Sequence, residues 1–572
     1  MLVVDYATAS ASLVLSALVL IVGALLVIAG PDLARSLRGS AVERLGHSVG
    51  NVVEGRSAAT NGVQGRMPGR GRDTRTALGT EPGAEPGAPS GSSTRSGTFT
   101  RPEASTRRTS ATMWAGVVLA SVVGLAVGLS PGADAVVAVA LMAAVAVLGL
   151  LLWRPEVALL VIAVFPWVDW VARSTLGGLG PAWDDGLLVI SVILVAWAVL
   201  VLRRGRLWTV PILVPALLAF AAALGSVVVR AVPTDVAVFA LRVLFQPLLF
   251  YFVGFLLPKD RRWVQWTIAL FLLSSVGLAL HGLFQYVTNA PMPASWVDVR
   301  ETEIGTRAYS VIENPNGLGA FLLIGTLISL SLALAPRLPG RQRWLMAGAC
   351  VVQVAGVAVT FSRGAWLGLA AGVVALFILA YRRYLAPLVA AGVLTWFLAP
   401  SQFTNRLSFA FSSAYITKSM AAGRLYVWNL SLQHVWEHPL FGLGLGTFGG
   451  TAAVRFGYGR LWVDNFYLQL AAEGGLILLG LFLWVLLRAA KALVRAHADC
   501  NDPYLRALAA GAFGAFMAVA VANFTASVWE TLVVGAGFWF VTGLATSVVF
   551  QTETADEPMP AGAPRARVSE TG

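Results

Sequence analysis

Apolar runs of about 20 residues, each long enough to cross ~30 Å of hydrocarbon as a helix, recur along most of this 572-residue chain. Fifteen candidate spans can be drawn, at roughly 12–30, 113–130, 134–153, 156–172, 186–202, 209–229, 236–257, 263–287, 316–335, 343–361, 364–380, 385–399, 465–487, 506–528 and 530–549. Hydrophobic residues make up 57% and charged ones 12%, which leaves too little polar material to cover a soluble surface. The expected fold is an all-α polytopic membrane protein with about 14–15 transmembrane helices.

The net charge of +12 is scattered in short clusters between spans: Arg203, Arg204 and Arg206; Lys259, Arg261 and Arg262; Arg337, Arg341 and Arg343; Arg382 and Arg383; Arg488, Lys491 and Arg495. All fall on one side of the alternating spans, and the positive-inside rule makes that side cytoplasmic. No basic face interleaved with aromatics is present, which argues against nucleic acid as a partner. Cys350 and Cys500 lack companions at metal-ligand spacing.

Residues 1–30 read as a first membrane helix, because no basic region precedes the apolar run and Arg35, Arg38 and Arg44 follow it. Residues 31–111, rich in Gly, Ser, Thr, Pro and Arg, read as a disordered cytoplasmic linker, and 551–572 as a disordered cytoplasmic tail. The polytopic domain is expected over 112–550, with long external loops near 288–315 and 400–464. In the second loop Leu425, Trp428, Leu432 and Trp436 share one face of a predicted amphipathic helix over 424–438.

Several polar groups stand out against this apolar background. Arg242 lies inside a span with no acidic partner nearby in sequence, so it is either a site residue or half of a buried pair. Before the span at 316, Arg307 precedes Glu313-Asn314-Pro315-Asn316-Gly317. Asn316 fits an N-cap and Pro315 the first turn, whereas Arg307 is an interfacial anchor or an anion ligand. Arg363, in Ser362-Arg363-Gly364, sits at an external hairpin against the charge trend, either snorkelling to headgroups or holding an anion. Gly423-Arg424 opens the amphipathic helix, and His438-Pro439 leads into the glycine-rich stretch to Gly446. His434 and His438 are four apart, but no third metal ligand accompanies them. Asp464 reads as the N-cap of the next span, with Gln469 and Glu473 continuing on one face, a set that needs a polar cavity.

In order and topology, Asn314 to Asn316, Ser362 to Gly364, Gly423-Arg424 with His438-Pro439, and Asp464-Asn465 resemble the O-antigen ligase and polymerase family of bacterial envelope glycosyltransferases over roughly 240–490. Ligases of that family carry His-Asn, nine residues, then Gly-x-x-Gly. Here the pair is Asp464-Asn465, Gly475 is the first glycine, and Leu478 replaces the last, which leans toward a polymerase. The resemblance implies a GT-C-like bundle in the cytoplasmic membrane with its site on the external face. It implies a glycan donor on a polyprenyl (undecaprenyl) diphosphate, a glycan or lipid acceptor, membrane lipids and other envelope polysaccharide-synthesis proteins as partners, and no metal or other cofactor. On that reading Arg307, Arg363, Arg424 and Arg242 bind the donor diphosphate and Asp464 is catalytic. Asn314, Asn316, His438, Asn465, Gln469 and Glu473 support the site. The rival expectation is a flippase or transporter for a lipid-linked glycan, although no internal repeat of the kind transporters show is evident. A third is a scaffold subunit.

Overall fold

The computed structural model describes residues 149–152, 154–176, 180–202, 207–257, 260–297, 304–459 and 462–553. The expected helix at 1–30, the linker at 31–111, the span at 113–130 and almost all of those at 134–153 and of the tail lie outside them. Among the described residues the chain is helix, turn and loop, with no strand. It is a multi-pass membrane protein: seven described helices are long and apolar enough to cross a bilayer, or eight if one bent pair counts as a span.

That pair is α1 (Pro155–Ala163) and α2 (Phe165–Leu176), which meet at 81°. The expected continuous span at 156–172 is therefore broken, and Pro166, which cannot donate a backbone hydrogen bond to the preceding turn, stands at the break. Next come α3 (Gly180–Leu200), α4 (Leu213–Val229), α5 (Thr234–Leu256) and α6 (Arg261–Val287). Helices α7 (Pro315–Leu334), α8 (Gly340–Val359) and α9 (Arg363–Ala380) follow. The expected span at 385–399 is a 14-residue helix, α10 (Leu385–Leu398), too short to cross the hydrocarbon unaided.

The loop at 400–464 is largely helical, with α11 (Ser401–Phe409), α12 (Ser413–Ala422), α13 (Arg424–Glu437) and α14 (Gly450–Phe456). The predicted amphipathic helix over 424–438 is α13, with Trp436 exposed and Val427 buried. The chain closes with α15 (Phe466–Asp499), α16 (Pro503–Ala522) and α17 (Leu532–Glu553).

The innermost helix is α7, where Leu318, Leu322, Leu323, Leu327 and Ile328 are fully buried. Burial between apolar helices in lipid gains little from solvent exclusion, so close van der Waals approach holds such bundles together. At the crossing of α9 and α16, a Cβ on Gly372 would lie 2.6 Å from that of Ala518 and 2.7 Å from the Gly514 carbonyl. Only glycine fits there.

The starts of α7, α9 and α15 and the ends of α8 and α16 gather at one end of the bundle. Ala308 N–H donates to Val359 O (2.9 Å) and Phe466 N–H to Asn523 O (2.9 Å). The basic connections at 337–343 and 382–383, and Arg488 to Arg495, lie toward the opposite ends of those helices. Polar chemistry and the basic clusters are thereby separated by the length of the membrane helices.

Candidate functional site

The corner between α8 and α9 is built by residues far apart in sequence. Arg307 is buried; its Nε donates to Thr360 O (2.9 Å), Nη1 to Trp296 O (2.9 Å) and Nη2 to Asn316 Oδ1 (3.1 Å). Asn316 Oδ1 also accepts from Ser362 Oγ (2.9 Å). Asn316 is therefore a tie between Arg307 and the corner; the N-cap of α7 is instead Asn314, whose Oδ1 accepts from Asn316 N (2.8 Å) and Gly317 N (3.0 Å). Arg406 of α11, also buried, donates from Nε to Phe361 O (3.0 Å), and Phe361 has φ +48°.

Two buried guanidiniums thus hold the consecutive carbonyls of residues 360 and 361, and the corner they fix presents Arg363. Its guanidinium carbon lies 4.8 Å from the Tyr415 ring centroid, while its Nη1 is buried without a hydrogen-bond partner. A buried cationic donor left unpaired is costly, and an anion in the adjoining space would satisfy it.

Arg424 begins α13, and its Nε lies 2.7 Å from Asp464 Oδ2. Burial works against the Arg424 charge, but the Asp464 carboxylate and the Tyr415 hydroxyl outweigh it and raise its pKa above the ordinary arginine value. Asp464 is not the N-cap of α15: its backbone is left-handed (φ +52°), and Asn465, extended at φ −154°, caps the helix by accepting from Leu468 N (3.1 Å). The Asp464 carboxylate is thus relieved of capping and directed at a cation.

Gln469 and Glu473 do not line the arginine-rich space. They bond the glycine-rich stretch between α13 and α14, which runs into Thr451 at the cavity wall. Glu473 accepts from the backbone N–H of Gly446 (3.0 Å), Phe448 (3.3 Å) and Gly449 (2.9 Å). Helix α15 is interrupted at Gly475 (φ 78°, ψ 175°), and the turn docks into the break: Leu443 N donates to Ala472 O (2.8 Å), Gly444 N to Glu473 O (2.9 Å), and Leu476 N to Pro439 O (2.7 Å). A helix can be broken at membrane depth only when the released backbone groups find partners, and here the turn supplies them. Gln469 Nε2 donates to Glu530 Oε1 (2.6 Å) and its Oε1 accepts from Ser527 Oγ (2.8 Å). Glu530 also accepts from the N–H (2.9 Å) and Oγ1 (3.0 Å) of Thr451. Burial raises the Glu530 pKa above the usual carboxylate range despite these donors.

These elements enclose one cavity of about 470 Å³, lined by Arg307, Arg363, Arg406 and Arg424 together with Asp464, Glu530, Asn314, Asn316, Thr451 and Trp462. Four guanidiniums face two carboxylates at one end of the bundle, an arrangement suited to an oligo-anion beside a proton acceptor. Arg406 and Glu530 escape sequence reading, since neither stands in a distinctive motif. Asn465, Gln469 and Glu473 support the cavity from outside it.

Arg242 is not brought to this cavity. It pairs with Asp185 of α3 and stacks 5.0 Å from the Phe239 centroid, in a separate apolar groove of about 1060 Å³ between α3, α4 and α5. His438 closes α13, its backbone accepting from Gly442 N (3.0 Å), and does not line the arginine cavity either; His434 pairs with Glu437 (3.3 Å). Among the described residues no three His, Cys, Asp or Glu side chains are grouped to hold a metal.

Residues 348–483 match the family model for O-antigen ligase. The matched segment contains Arg363, Arg406, Arg424, Asp464, Gln469 and Glu473 and supports the O-antigen ligase family and a membrane glycan-processing enzyme. No curated protein matches the chain.

Proposed function

We propose that the chain is a glycosyltransferase that moves or polymerises a glycan carried on a polyprenyl diphosphate, working at the outer face of the cytoplasmic membrane. The observation that carries this reading is the single cavity joining four arginines to Asp464 and Glu530 at the end of the bundle away from the basic connections. The acceptor sugar hydroxyl attacks the anomeric carbon, the bond from that carbon to the diphosphate oxygen breaks, and the hydroxyl proton passes to a carboxylate. Negative charge grows on the departing diphosphate, so fixed guanidiniums stabilise the transition state more than the ground state.

Within the cavity the roles divide. Arg363, with its unpaired buried Nη1, and Arg424 bind the diphosphate, while Arg307 and Arg406 hold the corner that carries Arg363. Asp464 receives the proton: Oδ2 is taken by Arg424, leaving Oδ1 for the acceptor hydroxyl. Left-handed backbone at a non-glycine residue is commonly found at sites where geometry is held for function, and Asp464 has it.

One feature is shared with transporters, the interrupted helix α15. Its released backbone groups are taken up by the turn at 439–444, so the break forms a closed joint rather than an open ion or substrate site.

The test is transfer by purified protein in lipid nanodiscs, given lipid-linked glycan and a separate acceptor. Product must form with the wild type and be lost with Arg363→Ala and Arg424→Ala. Movement of donor across vesicle membranes without any new glycosidic bond refutes the transferase reading in favour of a flippase. For sidedness, in a chain whose two cysteines are replaced, Ser295→Cys should react with an impermeant thiol reagent outside the cell and Arg341→Cys should not.

A further inference from the structure

The 81° bend between α1 and α2 sends α2 against the short helix Ser310–Ile312 and the start of α17. This encloses a second polar cavity, of about 520 Å³, at the same end of the bundle as the first. We propose that this cavity, lined by Asp169, Trp170, Arg173 and Ser174 of α2 and by Glu313 and Thr531, is a saccharide subsite for sugar units distant from the reacting anomeric carbon. The inference rests on the glycan-transfer reading above.

Three observations carry it. The first is continuity: Thr531 lines both cavities, and Glu313 is followed directly by Asn314, which lines the arginine cavity. A glycan whose diphosphate end lies among the arginines would pass over Thr531 into the second space, whose volume falls within the ~300–1,000 Å³ usual for small-ligand sites.

The second is chemistry. Sugar hydroxyls both donate and accept, whereas pyranose rings also present an apolar face of C–H bonds. The half-buried indole of Trp170 offers a matching flat surface that tolerates water at its edge. Asp169 is held in place by Arg173 Nε (2.9 Å) and Trp183 Nε1 (2.9 Å), so it is an oriented acceptor, and Ser174 and Thr531 supply hydroxyls of either sense. Two carboxylates against one guanidinium make the lining net acidic, so it favours neutral or amino sugars over acidic or phosphorylated ones.

The third concerns Glu313. Its side chain is exposed and its backbone is left-handed (φ 59°), ending the short helix Ser310–Ile312 beside the N-cap of α7. A tryptophan anchoring α2 at the membrane interface would account for Trp170, but it would not account for a carboxylate from another element lining the same space.

The experiment uses the full-length protein in nanodiscs and, as probe, diphosphate-free oligosaccharides released by mild acid from the producing cell's own surface polysaccharide, with binding followed by saturation-transfer NMR. Wild type should bind, Trp170→Ala and Glu313→Gln should weaken binding at least fivefold, and Trp170→Phe should recover most of it. Glu313 is exposed, so its substitution decides the matter even if Trp170→Ala fails to fold. Absence of wild-type binding, or equal binding by wild type and Glu313→Gln, overturns the subsite. Trp170-dependent binding without any glycan transfer would leave the subsite standing and refute the transferase reading. Transfer with no effect of either substitution on binding would do the reverse.

Discussion

Arg424 Nε and Asp464 Oδ2 lie 2.7 Å apart across 40 residues of chain, one at the first position of α13 and the other immediately before the cap of α15. The pair joins the large loop to the bundle, and Trp428 Nε1, one turn further along α13, donates to Val463 O (2.8 Å) beside it. A half-exposed ion pair contributes little to stability by itself, typically ~0–1 kcal/mol. Its consequence is geometric: the loop cannot leave the bundle without separating the cation proposed for the diphosphate from the carboxylate proposed for the hydroxyl.

Asp464→Asn is the sharpest test of that division of labour. Asparagine tolerates left-handed backbone as aspartate does, and Asn465 rather than Asp464 caps the helix, so the variant should fold and reach the membrane at wild-type levels. Loss of a general base lowers rates by roughly 10²–10⁴-fold, and glycan transfer should fall within that range, with Asp464→His retaining part of it. Wild-type transfer by Asp464→Asn would show that the proton goes elsewhere, with Glu530 the next carboxylate in the cavity.

Arg363 should be separable from the arginines that hold its corner. Arg363→Lys keeps the charge but loses the two-pronged donor geometry, so it should bind lipid-linked donor more weakly than wild type and more tightly than Arg363→Ala, with thermal stability nearly unchanged. Arg406→Ala removes the tie to Phe361 O and leaves a buried carbonyl short of a donor, a loss of about 1–3 kcal/mol. Thermal midpoint and donor affinity should therefore fall together for Arg406 and apart for Arg363. A parallel fall for both would mean that Arg363 is structural.

The membrane helices were legible because an apolar run of fixed length has few other fates in this composition, and the amphipathic α13 was legible from its spacing. Cap positions were not. Asn314 and Asn316 stand two apart, as Asp464 and Asn465 stand side by side, and sequence cannot tell which takes the extended backbone of a cap; the structure gives it to Asn314 (φ −148°) and Asn465 (φ −154°), placing Asn316 inside the helix and Asp464 in left-handed backbone (φ +52°). The partner of Arg242 was hidden because Asp185 is 57 residues away. Glu530 was hidden because it falls at the edge of a predicted span, and Arg406 because an arginine in a polar loop is indistinguishable from a solvated one until folding buries it. Motifs mark residues whose neighbours in sequence share the task; these two are recruited from afar.

Glu530 should give the protein a pH-dependent stability of definite sign. Burial raises its pKa in the folded state against the donors Gln469 and Thr451, with Glu473 the other carboxylate nearby. Between the ordinary carboxylate pKa and the raised one, the folded protein binds more protons than the unfolded chain, so stability must fall as pH rises through that interval. The thermal midpoint in nanodiscs should therefore decline as pH rises above the ordinary carboxylate range, and Glu530→Gln should flatten part of that decline. A profile identical in wild type and Glu530→Gln would mean that Glu530 titrates normally.

Gly475 should be the least replaceable glycine in α15. Its φ of 78° lies in the left-handed region, and an added Cβ would overlap the Leu440 carbonyl and approach the Phe441 nitrogen at 2.6 Å. Left-handed backbone at a side-chain-bearing residue costs of order 1–3 kcal/mol before any clash, and relieving the clash means pushing out the turn whose N–H groups satisfy the broken helix. Gly480 lies in the same helix, and a Cβ added there would meet nothing within 4 Å, so Gly480→Ala is the matched control. Alanine there should be neutral or raise the thermal midpoint slightly, since it is the better helix former by ~1 kcal/mol. Gly475→Ala should lower the midpoint by several degrees and also depress glycan transfer, because Glu473, two residues away, holds the stretch that leads to Thr451 and Glu530. If the two alanine variants prove equally stable and active, the break in α15 does not form the joint between loop and bundle, and the cavity is held by α13 and α9 alone.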